Sequence, residues 1–168
     1  MYANPENCEF FKTEICYLGH IIIGDGIAID PTKIRAIVEW PAPTNVSEVR
    51  SSMGLASYYR IFVANFSKIA HPITSLQRKG KKFVWLEICE EAFQHLKECL
   101  TSAPVLAVPD PCKEFVVCKN YSLEGLGAIL VEDGRVIAYE SRKLKDHEVN
   151  YPTHDLELAT IMHALTKW

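Results

Sequence analysis

The sequence lacks the features that would carry it into or across a membrane. No apolar run approaches the roughly 20 residues that a spanning helix needs. The amino-terminal MYANPENCEF has no basic stretch ahead of an apolar one, so no signal peptide is visible. The expected setting is intracellular, cytoplasmic or nuclear, with no membrane partner. Paired thiols are missing too. Cysteines stand at 8, 16, 89, 99, 112 and 118, none in a C-x-x-C pair and none followed by histidines at finger spacing. That excludes a zinc finger and argues against any thiolate centre. Cys89 and Cys99 fall in a helical pattern, where cysteine behaves as a small buried hydrophobe.

Charge is sparse as well. Only 23% of the 168 residues are charged and 48% are hydrophobic, which argues against disorder and suits one compact domain or two small ones. The net charge of −3 is not the basic footprint of a self-sufficient nucleic-acid binder. It divides unevenly: residues 1–82 carry 10 Lys/Arg against 7 Asp/Glu, residues 83–168 carry 8 against 14. The first half can supply one wall of a larger groove at most.

What is present begins as strands. In CEFFKTEICYLGHIIIGDGIAI, apolar residues flank a polar KTE turn, and a second turn falls at Gly24-Asp25-Gly26. Helices follow. Asp30 is a good N-cap and Pro31 suits the first helical position; Ile34, Ile37 and Val38 repeat at helical spacing, and the PAP at 41–43 ends the helix by Trp40. Asn45 with Glu48 is a capping-box variant opening a second helix through Val49, Met53 and Ala56. Ser67 can cap a third, with Ile69, Ile73 and Leu76 on one face. A fourth carries Cys89, Phe93, Leu96 and Leu100 on one stripe. The loop TSAPVLAVPDPCKE, with three prolines, is the best candidate for a domain junction.

Beyond residue 114 the pattern becomes strand, strand, strand, helix. FVVCKN reads as a strand buried on both faces. GLGAILV and RVIAYES follow, parted by a turn at Glu132-Asp133-Gly134. A helix begins near Thr153, with Leu158, Ile161, Met162, Leu165 and Trp168 expected on its buried face.

FVVCKNYSLEGLGAIL (residues 115–130) and NYPTHDLELATIMHAL (residues 150–165) together resemble the opening of a ribonuclease H domain from a gypsy-type retroelement Pol polyprotein. The resemblance extends along the whole chain. Residues 1–82 are similar to the end of a reverse transcriptase palm and the thumb, 83–113 to the connection, and 114–168 to the first half of ribonuclease H. The fold this implies is α+β: a β-hairpin and helical thumb, then a partial ribonuclease H-like unit of three antiparallel strands and one helix. The family copies RNA into DNA and hydrolyses the RNA of RNA–DNA hybrids. The implied partners are a hybrid or template–primer duplex and the rest of the Pol polyprotein.

The resemblance also implies sites. YLGH (Tyr17, Leu18, Gly19, His20) matches the hairpin that contacts the primer end. GLASYYRIF, with Gly54, Tyr58, Tyr59 and Arg60, matches the thumb region that follows the duplex. Tyrosines can stack on sugars, Arg60 can pair with a phosphate, and Gly54 can let backbone approach. Each has a plainer reading: a tyrosine completing the core, a glycine easing helix packing, His20 as a satisfied surface histidine. Where relatives place a second basic residue after Arg60, this chain has Ile61, which removes a phosphate contact.

Ribonuclease H chemistry uses carboxylates holding two Mg²⁺ ions about 4 Å apart. Here Asn120 stands at the first aspartate's position, and Glu157 matches the helical glutamate. Mg²⁺ favours anionic oxygen, so Asn120 weakens the site; at an effective dielectric near 20, a unit charge pair about 4 Å apart is worth about 4 kcal/mol. Glu124, Glu140 and Asp155 match no family position and are expected to be solvated. No adjacent aspartates occur, so the polymerase metal site is absent from this sequence. The resemblance thus implies a chain that is inactive alone, or a non-catalytic nucleic-acid-binding or protein-interaction module.

Overall fold

The computed structural model describes residues 11–78, 80, 82–122 and 125–168. The side chains of Asn120, Tyr121 and Ser122 also lie outside the described residues, as do Cys8 and Glu124. Three short antiparallel strands open the described chain: β1 (Glu14–Tyr17), β2 (His20–Ile23) and β3 (Gly26–Ile29), in the order β1-β2-β3. Glu14 is already strand, so the first described reversal is not at KTE. It falls at Leu18-Gly19, where φ is +50° and +79°. Positive φ at both central residues is the type I′ geometry, one of the two-residue turns whose twist matches that of the flanking strands. The Gly24-Asp25 turn between β2 and β3 is where the sequence places it.

Helix α1 (Pro31–Val38) starts as its residues require: the Asp30 carboxylate accepts from the Thr32 amide and hydroxyl, each at 2.8 Å. Helix α2 (Val46–Tyr58) opens on a reciprocal cap. Asn45 Oδ1 accepts from the Glu48 amide at 3.0 Å, while the Glu48 carboxylate accepts from the Thr44 amide at 2.7 Å. After a 3-10 turn at Arg60–Phe62 comes α3 (Phe66–Thr74). Ser67 lies inside α3 and is not its cap. Its amide donates instead to the Ser141 hydroxyl, 74 residues away, at 3.0 Å. A long-range partner has replaced the local one. Helix α4 (Glu87–Thr101) buries Cys89, Phe93, Leu96 and Leu100, the stripe its spacing predicts.

The second sheet has the order β4-β5-β6, with β4 (Phe115–Ser122), β5 (Gly125–Glu132) and β6 (Arg135–Lys143) all antiparallel. Two expectations fail here. β4 is not buried on both faces: Phe115 and Val116 are exposed, because β4 pairs only with β5 among the described strands and stands at the sheet edge. Helix α5 (Thr153–Leu165) buries Leu156, Thr160 and Ala164, while Leu158, Ile161, Met162 and Leu165 are exposed, as is Trp168 beyond its end. Apolar residues surround this helix, so periodicity alone does not choose its inner face.

The two sheets are not held apart by the proline-bearing loop. Leu106 exchanges both backbone hydrogen bonds with Ile27 of β3, at 2.7 and 2.9 Å, and the Ala107 amide donates to Val136 of β6 at 2.7 Å. One buried core of Ile37, Val49, Tyr59, Phe62, Phe93 and Leu106 takes Val136 and Tyr139 of β6 against it. Beyond β6, Arg142 forks onto Glu148 at 2.6 and 2.7 Å. That guanidinium contact, helped by the Lys145 amide, holds the buried Glu148 carboxyl down to about 2.

Candidate nucleic-acid interface and ribonuclease H-like carboxylate

The hairpin turn and the end of α2, 40 residues apart in sequence, meet in one cluster. The Tyr58 hydroxyl donates to the Leu18 carbonyl at 2.7 Å, and the Tyr59 hydroxyl donates to the Gly19 carbonyl at 3.1 Å. These bonds hold down a turn in which Leu18 adopts a conformation costly for a side-chain-bearing residue. A Cβ on Gly19 would come within 2.6 Å of the Tyr59 hydroxyl, so the close approach requires glycine there. His20 fills the space behind the turn. Its ring lies 5.2 Å from Tyr58 and 5.7 Å from Phe62 in stacked geometry, and 5.4 Å from Tyr59 edge-on.

His20 is therefore not a satisfied surface histidine. Its Nδ1 is buried without a hydrogen-bond partner, and burial lowers its pKa, favouring the neutral ring. The two tyrosines divide the readings between them. Tyr59 is 1% exposed and belongs to the core; Tyr58 is 47% exposed, as are Tyr17 and Leu18 of the turn to a greater degree. Gly54, one turn before Tyr58 on α2, has nothing within 4 Å of where a Cβ would stand. That removes helix packing as its purpose and leaves an open helix face. Tyr17 and Leu18 of the turn and Gly54 and Tyr58 of α2 are thus exposed, with His20 packed beneath them.

Arg60 belongs to a different arrangement. Its guanidinium lies 3.4 Å from Glu140 of β6, and Glu140 also lies 3.2 Å from His163 Nε2 of α5. Glu140 is buried, contrary to its expected solvation; it joins the helical first half to the last helix. Burial lowers the pKa of His163, opposed by the adjacent Glu140 carboxylate. The residues that sequence reasoning missed here are Glu140 and His163. A signal existed, since Glu140 sits two residues after buried Ala138 and so on the same strand face. Ile61, in place of a second basic residue, packs against both hydrophobic clusters that flank it.

The ribonuclease H-like position lies on β4 and α5. Asn120 pairs in register with Gly127 of β5, its side chain outside the described residues. Glu157, in the second turn of α5, takes a hydrogen bond from Lys119 Nζ at 2.6 Å; both side chains are 38% exposed. Asp155, in the first turn of the same helix, lies 3.6 Å from His154.

Residues 85–168 match the family described as an RNase H-like domain found in reverse transcriptase. The chain belongs to that family. It is 42% identical over 160 residues to the Pol polyprotein of transposon 297, and 42% over 179 residues to that of transposon gypsy, both from Drosophila melanogaster. Those matches cover 95% and 99% of this chain but only 15% and 17% of the polyproteins. A foamy viral protease-reverse transcriptase, solved in complex with RNA/DNA hybrid, is similar with a TM-score of 0.85 and 26% identity, over 93% of this chain and 22% of that one.

Reverse transcriptase ribonuclease H domains work with divalent metal ions. The donors this member presents do not fit such a pair. The Glu157 carboxylate is paired with the Lys119 ammonium, which competes with any cation for it, and asparagine at 120 carries no anionic oxygen. Among the described residues, no group of three or more His, Cys, Asp or Glu is placed to hold a metal ion. None of the described helices is long and apolar enough to cross a membrane.

Proposed function

We propose that this chain is the duplex-gripping part of a retroelement Pol protein, binding an RNA–DNA hybrid or template–primer without itself performing catalysis. In this reading residues 1–82 are the end of the palm and the thumb, 83–113 the connection, and 114–168 the first half of a ribonuclease H-like domain. The larger polyprotein supplies the carboxylates for RNA-directed synthesis and for hybrid cleavage. The observation that carries the reading is the docked turn: Tyr58 and Tyr59 fasten the Leu18-Gly19 backbone to the thumb helix. A turn so fixed can press against a sugar–phosphate backbone without ordering itself at the moment of binding. Tyr17, Leu18 and Tyr58 then meet sugars, and the open face at Gly54 admits the backbone.

The test is a salt titration of binding to an RNA–DNA hybrid. Affinity is expected to fall with salt, and Tyr58→Ala is expected to weaken it about tenfold, the worth of one stacked contact. A salt slope near zero, or Tyr58→Ala binding as tightly as the parent, removes the reading. A second reading, contact with another part of the polyprotein, is favoured by the exposed apolar residues Leu158, Met162 and Leu165 on α5. Its check is Met162→Glu, which leaves hybrid binding intact and abolishes association with the downstream Pol segment added in trans.

A further inference from the structure

Between α3 and β6 lies a pocket of about 300 Å³ that shares only Arg60 with the candidate site residues described above. Its cations come from three elements: Arg60 from the 3-10 turn, Arg78 after α3, and Lys143 at the end of β6. His71 of α3 joins them, its Nε2 2.6 Å from Lys143 Nζ. No carboxylate lines the pocket among the described residues, in a chain whose net charge is −3. Convergence of like charges from separate elements costs energy unless an anion compensates it. Neither Arg78 nor Lys143 makes an ion pair among the described residues, and Arg60 shares its charge with Glu140 from outside the lining.

The hydroxyl groups sort the same way. Thr74 and Ser75 give their protons to helix carbonyls, at 3.0 and 2.8 Å, and so offer no donor. Ser141 is different. Its oxygen accepts the Ser67 amide at 3.0 Å, which leaves its own proton to donate into the pocket. The donor set facing the space is then two guanidinium groups, an ammonium and a hydroxyl, with an imidazole beside them. Planar forks and a point charge around tetrahedral space suit phosphate oxygens.

We propose that this pocket between α3 and β6 is a phosphate-binding site built from Arg60, Arg78, Lys143, His71 and Ser141. The ligand group is a phosphate, carried either by a nucleic-acid backbone or by a phosphate monoester. Lys143 and Arg78 are exposed, so changing either leaves the core intact. Titration of the full chain with inorganic phosphate, followed by NMR, is expected to give saturable shifts at the His71 ring and the Ser67 amide. Lys143→Gln and Arg78→Gln should each weaken binding at least about tenfold at unchanged thermal midpoint, whereas Arg35→Gln on α1 should not. Shifts that do not saturate, or that survive both pocket substitutions, overturn the proposal. An RNA–DNA hybrid added to the phosphate-loaded chain then names the source: displacement identifies a backbone phosphodiester, and retention identifies a phosphate monoester. Because Tyr58 lies outside the pocket, loss of one site leaves binding at the other measurable.

Discussion

His20 shows how much one side chain decides. Its ring completes an aromatic stack beneath the turn, yet Nδ1 is buried without a partner. Its folded pKa therefore lies below the ordinary 6.5. The unfolded chain then binds more protons than the folded one near and below that value, so this contribution to stability is complete above about pH 6.5 and lost as pH falls beneath it. His163, also lowered by burial, acts in the same direction. His20→Phe keeps the stack and removes the titration. Urea unfolding at about pH 7.5 and pH 5.5 is expected to show a smaller acid-induced loss in the variant. An unchanged loss would place the pH dependence elsewhere. Lys119, in the second sheet, places its ammonium group 2.6 Å from the Glu157 carboxylate and so joins β4 to α5.

At the scale of elements, helix starts were legible wherever the capping partner is close in sequence. Asp30 with Thr32 and Asn45 with Glu48 satisfy amides within one turn, so composition and spacing suffice. The start of α3 was not legible, since the hydroxyl that meets the Ser67 amide arrives from β6. Helix α2 carries a test of its own. Gly54 sits inside the helix with open space where a side chain would stand. Gly54→Ala is expected to stabilise the fold by about 0.5–1 kcal/mol in thermal or urea unfolding, because it relieves the entropic cost of a helical glycine. If that face takes a duplex, the same variant binds hybrid more weakly. Equal affinity would remove Gly54 from the interface.

On the scale of the whole molecule, the strap at Leu106-Ala107 joins the sheets by pairing with Ile27 on one side and Val136 on the other. Gly26 makes that approach feasible. A Cβ there would collide with the Leu106 carbonyl oxygen and stand 2.8 Å from a Val105 methyl. Gly26→Ala is therefore expected to cost roughly 2–3 kcal/mol and to speed amide exchange at Ile27 and Leu106 together. Exchange that rises at neither residue would show the strap to be dispensable. The Arg60–Glu140–His163 contacts tie the same two halves through one buried carboxylate, joining residues that a sequence pattern presents as unrelated.

The sequence by itself determined the order of elements, both glycine-bearing hairpin turns after β2 and β5, the inner stripe of α4, and the family. All of these rest on contacts between near neighbours or on matched motifs. Tertiary structure alone decided which tyrosine is core and which is surface, which face of α5 turns inward, that β4 is an edge, and that Glu140 is buried. Each of these depends on what packs opposite. Local spacing carries no information about a partner that arrives from another element.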